Sequence, residues 1–366
     1  MSLIISIIAL GFIILFHELG HFVLAKRCGV GVVEFSLGMG PRLVSHVWGK
    51  TRYSLRLLPF GGSCMMVGEE AEENGFTDEN ILLDGRHYEK EEAFPEKPAW
   101  KRFLIIAAGP VFNFILAFLL SLVVTQQIGW DRPFVYSVEA DMPAAEAGLS
   151  AGDTILSIGG DKVTVSRDIQ LYLLANQREM QEGEPVRLRF RNSLGEERTA
   201  VIVPAFAEDT GSYRMGLSFN TAYSPVSGMG ELLRYSAYNV EFCIKSTIKS
   251  LGMLISGKVS RSDVMGPVRM VATMDNTVDT ASQYGLWAVT MSLFDLIILI
   301  SASLGAMNLL PVPALDGGQL LFVLIELVIR RPVPRELVAR VNMIGMLLLF
   351  GLMFFVLFND ISFLVG

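Results

Sequence analysis

The sequence predicts a polytopic α-helical membrane protein of about four transmembrane helices, with a small mixed α+β domain between the second and third. Three observations predict it. Of 366 residues, 51% are hydrophobic and only 18% charged, and the mean hydropathy is +0.45, a balance foreign to soluble domains. Several apolar runs are each long enough to cross a bilayer. Residues 129–286, by contrast, are mostly soluble in composition.

The first run covers residues 2–16 and, beyond a polar patch, continues through Phe22, Val23, Leu24 and Ala25 to Lys26 and Arg27. About 24 residues rising 1.5 Å each span about 36 Å, enough for a crossing. A cleavable signal peptide is the competing reading, but the basic leader is missing and the charges follow the apolar stretch. Further spans are expected over residues 103–128, 287–310 and 337–358. The chain therefore divides into a membrane core over 1–128, an outer domain over 129–220, an amphipathic connection over 221–286 and a second part of the membrane core over 287–366. Within the connection, Leu232, Leu233, Tyr235, Tyr238, Phe242, Ile248 and Leu251 recur at helical spacing among Arg234, Lys245 and Lys249. That pattern fits a helix on a membrane surface or domain face rather than a span.

Orientation follows from the basic residues nearest the spans. Lys26, Arg27, Arg42, Lys50, Arg52, Arg56, Lys101 and Arg102 flank the first two on one side, and Arg330, Arg331, Arg335 and Arg340 lie between the last two. The positive-inside rule makes that side cytosolic, so both termini and the outer domain are expected to be extracytosolic. A net charge of -7 and a pI near 5.3 leave no basic footprint for nucleic acid. The three cysteines, Cys28, Cys64 and Cys243, form no CxxC pair, so any metal falls to His, Asp or Glu.

In the outer domain, strands are expected over 134–138, 154–158, 186–191 and 199–203, with a helix over 166–178. Met142-Pro143-Ala144-Ala145-Glu146-Ala147-Gly148-Leu149-Ser150-Ala151-Gly152-Asp153, followed by Ile155, Ile158 and Gly159-Gly160, resembles the carboxylate-loop region of a PDZ domain. Such domains take up a peptide as an added strand, and the resemblance implies Gly148, Leu149 and Gly152 as peptide-binding positions. A domain that only occupies space is the alternative.

The chemistry concentrates in the first span, at His17-Glu18-Leu19-Gly20-His21. On a helix, residues four apart share a face, so both imidazoles can reach one tetrahedral zinc while Glu18 faces its open position. An ionisable cluster in a span costs several kcal/mol by insertion scales and is a functional hypothesis by default. A polar patch satisfying itself between helices is the bland alternative.

Two histidines leave zinc short of a third protein ligand. His46 and His87 fall in polar stretches, whereas Asp316 follows Asn308-Leu309-Leu310-Pro311-Val312-Pro313-Ala314-Leu315 and precedes Gly317-Gly318. Asp-Gly-Gly can simply be a turn that ends a span. Depth argues for more: the first and third spans both run inward, which places His17, His21, Asn308 and Asp316 in the same half of the bilayer. Irregular backbone at that depth is tolerable where it lines a water-filled cavity.

With these residues, the chain resembles the site-2 protease family of intramembrane zinc metalloproteases, of the bacterial regulator-of-sigma-E protease type with a single PDZ-like domain. Besides HExxH and NxxPxPxxDGG, the likeness includes Phe35-Ser36-Leu37-Gly38-Met39-Gly40-Pro41, Pro59-Phe60-Gly61-Gly62, Lys97-Pro98-Ala99-Trp100-Lys101-Arg102, Ala108-Gly109-Pro110-Val111-Phe112-Asn113-Phe114 and Met265-Gly266-Pro267-Val268. It implies that His17, His21 and Asp316 hold Zn²⁺, that Glu18 is the catalytic base, and that Asn308 places substrate or the oxyanion. Packing or helix ending is the other role open to Asn308. Asn113, Pro311 and Pro313 are implied as supporting residues, Asn113 alternatively as a bridge between helices.

The resemblance also implies a membrane-associated cytosolic β segment over residues 33–67, whose edge pairs with an unwound substrate. Here Ser63-Cys64-Met65 stand where relatives commonly carry an aromatic. The acidic run over 69–96 reads as a solvated loop. The implied function is hydrolysis of a peptide bond in or near the transmembrane helix of a protein such as an anti-sigma factor or signal-peptide remnant, trimmed first by another protease. The implied setting is a bacterial plasma membrane, with the active site toward the cytosol. A metal transporter or a non-catalytic PDZ receptor is the alternative from another class.

Overall fold

The computed structural model describes residues 2–68, 80–181, 183–207, 212–219, 223–258 and 267–365. They form two compact units, Met1–Leu120 with Ser260–Gly366, and Ser121–Val259.

Helix α1 (Ser2–Arg27) is apolar throughout except around His17-Glu18-Leu19-Gly20-His21, and ends with Lys26 and Arg27, which suit the negative end of the helix dipole. Gly29, at φ +75°, turns the chain into β1 (Val32–Trp48) and β2 (Thr51–Met66). Both strands bend, so their pairing makes four segments in the order 62–66, 32–37, 51–56, 42–48. Gly38 permits the bend, since at φ +90° an added Cβ would lie 2.4 Å from the Leu58 carbonyl. The β structure expected over residues 33–67 is present, with segment 62–66 at one edge. Glu34 is 1% exposed between the guanidinium groups of Arg42 and Arg56, at 2.5 and 3.0 Å.

The acidic run is not simply a solvated loop. Residues 69–79 lie outside the described residues, but β3 (Asn80–Leu83) and β4 (Arg86–Glu89) form a hairpin. Its Tyr88 is fully buried against Val33, Val67 and Ala93, because an aromatic within the run supplies apolar area that charge counting overlooks.

Helix α2 (Ala99–Ile128) lies close against α1: a Cβ on Gly20 would lie 2.3 Å from the Ala108 carbonyl. Ala25, Cys28, Val30, Val32, Cys64, Met66 and Ile105 form one core that joins α1, the sheet and α2.

The second unit begins within α2. Its strands are β5 (Val135–Val138), β6 (Thr154–Ile158), β7 (Asp161–Lys162), β8 (Val186–Arg191), β9 (Glu197–Ile202), β10 (Ala205–Ala207), β11 (Ser212–Arg214) and β12 (Leu217–Phe219), with helices α3 (Pro143–Glu146), α4 (Ser166–Ala175) and α5 (Gln177–Gln181). Four strands make a sheet in the order β7-β6-β8-β9, while β12 pairs with β5 and β10 with β11. The alternation of β8, buried at Val186, Leu188 and Phe190 and exposed between them, is the half-buried pattern of a one-sided sheet. These residues join Ile155, Ile158, Ile169 and Ile202 in the core. Helix α6 (Met229–Ile255) fulfils the amphipathic pattern, and Asn239 on it takes a hydrogen bond from Arg167 while donating to Ser121.

The chain returns to the first unit through α7 (Pro267–Ser282), a helix the apolar pattern did not predict, since only its moderate amphipathicity marks it. Met265 and Gly266 of the corresponding motif lie outside the described residues. Then follow α8 (Leu286–Asn308), α9 (Asp316–Ile329) and α10 (Arg335–Val365). Among the described residues, four helices are long and apolar enough to cross a membrane, over Ile7–Arg27, Ala99–Ile128, Leu286–Asn308 and Glu336–Asp360. Large apolar side chains of α10, among them Leu347, Leu348, Phe354 and Phe358, are exposed, as a lipid-facing surface requires. Helix α9, about 21 Å long at 1.5 Å per residue, is too short to cross.

Candidate metal centre

His17 and His21 project from α1 one turn apart, both buried. Asp316 reaches them from the first turn of α9. Asn308 ends α8, and the intervening loop turns at Ala314, whose φ is +72°. Gly317 and Gly318 are required for this return: a Cβ on either would lie 2.1 Å from the Leu310 carbonyl or 2.4 Å from that of Val312. Pro313 packs under α10, where a Cβ on Gly345 would approach it to 2.4 Å. Pro311 is exposed in the loop. Arg102 of α2 pairs with Glu326 of α9, and Ile106 packs with Leu320 and Val323, so α9 is held to α2 below the carboxylate.

His17 Nε2 lies 3.2 Å from His21 Nε2 and 3.1 Å from Asp316 Oδ2, and the His21 to Asp316 distance is 3.6 Å. A tetrahedral ion with ligands at about 2.0–2.1 Å separates neighbouring ligand atoms by about 3.3 Å, so the donor set has the spacing of a zinc site. Its protonation agrees. His21 Nδ1 donates to the Ile105 carbonyl at 2.9 Å, which leaves Nε2 of the neutral ring bare. Buried Asp316 Oδ2 has no directed hydrogen bond among the described residues. A carboxylate oxygen and a bare imidazole nitrogen that converge on one point suit a cation.

Glu18, half-buried beside His17, faces the sheet: a Cβ on Gly62 would lie 3.2 Å from its Cγ. The edge segment 62–66 therefore passes the carboxylate. Ser63 Oγ is hydrogen-bonded to Ser36 Oγ at 2.9 Å, and Cys64 is buried. Asn308 Nδ2 lies 3.4 Å from His17 Nε2, and fully buried Asn113 places Nδ2 3.1 Å from His17 Nδ1. His46 and His87 are exposed on the β segments.

Gly109, expected from the sequence to shape a close helix crossing, does so directly under the two histidines. A Cβ there would lie 2.3 Å from His21 Nε2 and 2.7 Å from His17 Cε1, so both imidazoles rest on bare α2 backbone. Its only signal is a glycine in an apolar helix, which marks close approach without naming the partner.

In the second unit, the expectation for Gly148, Leu149 and Gly152 is corrected by their hydrogen bonds. Their amides donate to Ala145, Ala144 and Val135 carbonyls, and the Leu149 side chain lies in the core. This loop packs the domain and leaves none of those three amides for a peptide carboxylate.

Residues 5–352 match peptidase family M50. The chain belongs to peptidase family M50. Among relatives of this M50 peptidase is zinc metalloprotease RasP of Bacillus licheniformis, 32% identical over 430 aligned residues that cover 99% of each chain. Regulator of sigma-W protease RasP of Bacillus subtilis is 29% identical over 429, covering 99% of this chain and 98% of its own. A Clostridium acetobutylicum relative is 36% identical over 360 residues, 98% of this chain and 97% of its own. The PDZ domain of the SdrC-like protein of Listeria monocytogenes matches 25% of this chain over 88% of its own length, with 26% identity and a TM-score of 0.21. The M50 peptidase is a zinc metalloprotease of site-2 type and a multi-pass membrane protein. The transporter and receptor readings are left without support.

Proposed function

We propose that His17, His21 and Asp316 hold the zinc, and that the enzyme hydrolyses a peptide bond in or near the transmembrane helix of a membrane protein. The observation that carries this is the convergence of the three ligand atoms, all within 4.8 Å of one another. When bound, zinc polarises the scissile carbonyl and acidifies the attacking water. Glu18 takes the water's proton and returns it to the leaving amine, and Asn308 donates its amide N–H to the developing oxyanion. A helical substrate keeps its carbonyls hydrogen-bonded, so the cut segment must be extended before attack. The edge segment 62–66 beside Glu18 is where an extended strand would pair.

The active site faces the cytosol and the outer domain lies extracytosolically in a bacterial plasma membrane, a reading supported by the basic residues around Lys26, Lys101 and Arg330. The outer domain is PDZ-like and acts as a size filter for substrates trimmed first by another protease. The internally committed amides of Gly148, Leu149 and Gly152 favour filtering over capture of a C-terminus. In liposomes, a reporter transmembrane substrate should be cut, cutting should stop with a strong chelator, and zinc should restore it. Cutting that persists in metal-free protein would refute the proposal.

A further inference from the structure

Each ligand histidine is gripped at its outer nitrogen by α2, but the two grips differ. At His21 the partner is the Ile105 carbonyl, which can only accept, so Nδ1 carries the proton and Nε2 is free to ligate. At His17 the partner is the Asn113 amide, which can donate or accept. With its nitrogen facing His17 Nδ1 at 3.1 Å, the amide would donate, and the ring proton would move to Nε2. That proton would then stand in the 3.2 Å gap to His21 Nε2, where a metal must bind. In this orientation Asn113 Oδ1 is also buried with no hydrogen-bond partner among the described residues.

A half-turn of the amide removes the misplaced ring proton, because it exchanges the two atoms at nearly the same positions and turns the oxygen toward His17 Nδ1. We propose that Asn113 is a positioning residue whose Oδ1 accepts the His17 Nδ1 proton, which fixes the tautomer that offers Nε2 to the metal. The rest of the residue is suited to this. Asn113 is fully buried, and its backbone carbonyl accepts a hydrogen bond from Ser301 Oγ at 2.9 Å, which ties this turn of α2 to α8. The α2 helix thus supplies both outer partners, Ile105 and Asn113, to histidines one turn apart on α1. Metal-bound histidines generally need such an acceptor, and its loss lowers metal affinity about 10- to 100-fold.

The proposal rests on the zinc site described above, and its test separates the two. Zinc affinity of the full-length protein in detergent is measured by competition with a chelator for wild type, Asn113→Asp, Asn113→Leu and His17→Ala. Asn113→Asp keeps acceptor oxygens but cannot donate, so it should bind zinc at least as tightly as wild type. Asn113→Leu offers no acceptor and should bind about 10- to 100-fold more weakly. If Asn113→Asp loses zinc while the protein stays folded by thermal melt, the donating orientation is the working one and the proposal is overturned. Wild-type affinity in Asn113→Leu overturns it equally, and if the leucine variant does not fold the aspartate variant decides alone. In either case a zinc-deficient His17→Ala leaves the metal site standing, whereas undiminished zinc in His17→Ala refutes the site itself.

Discussion

Asp316 Oδ2 lies 3.1 Å from His17 Nε2, although α1 opens the chain and α9 comes near its end. The contact brings the negative charge of α9 to the imidazole edges of α1. Removing that charge while keeping the shape tests it: Asp316→Asn should bind zinc at least about tenfold more weakly and lose proteolysis in parallel. Unchanged zinc content and turnover would move the third ligand elsewhere.

Gly109 gives a second test. Its added Cβ would stand 2.3 Å from His21 Nε2, in contact with a group that cannot retreat from the Ile105 carbonyl. Gly109→Ala should lower zinc affinity and cost about 1–3 kcal/mol of stability through overpacking. Thermal melts with and without zinc would show both losses, and a variant equal to wild type would mean that the two helices separate freely.

Much of the site was legible because its chemistry is local. His17, Glu18 and His21 share one helix face, and the apolar spans around them are set by composition alone. Asp316 had to be matched by depth and by the NxxPxPxxDGG resemblance, and it begins a short helix rather than a terminating turn, since α9 is apolar like the span before it and hydropathy does not register the break. Gly109 was legible as a close helix crossing, but neither its histidine partners nor the role of Gly20 could be read, because a glycine's role depends on what lies opposite. The loop at Gly148 was misread for a related reason: a motif marks the turn, while the fate of its amides is decided by Ala144, Ala145 and Val135.

The sheet makes a pH prediction. Burial pushes the Glu34 carboxyl up, but the hydrogen-bonded guanidinium groups of Arg42 and Arg56 outweigh it and bring its pKa from 4.5 to about 2. A lowered native pKa means that this stabilisation is full above about pH 4.5 and is lost as pH falls toward 2. Protection of the amides across residues 32–66, taken relative to the intrinsic exchange rate at each pH, should therefore fall over that window. Glu34→Gln should lower that protection at every pH, with no further loss on acidification.

For the outer domain, deletion of residues 134–220 should leave zinc binding intact while the enzyme gains cleavage of substrates that keep bulky extracytosolic parts. Matched long and trimmed substrates would show it. Loss of zinc on deletion would instead make the domain a structural part of the membrane core.

The central claim is that Glu18 is the base beside a zinc held by His17, His21 and Asp316. Zinc content and turnover of Glu18→Gln, measured on one purified sample against wild type, test it most directly. Zinc should be undiminished and turnover reduced by at least about 100-fold, since the amide cannot take the proton. Turnover near the wild-type rate would contradict it.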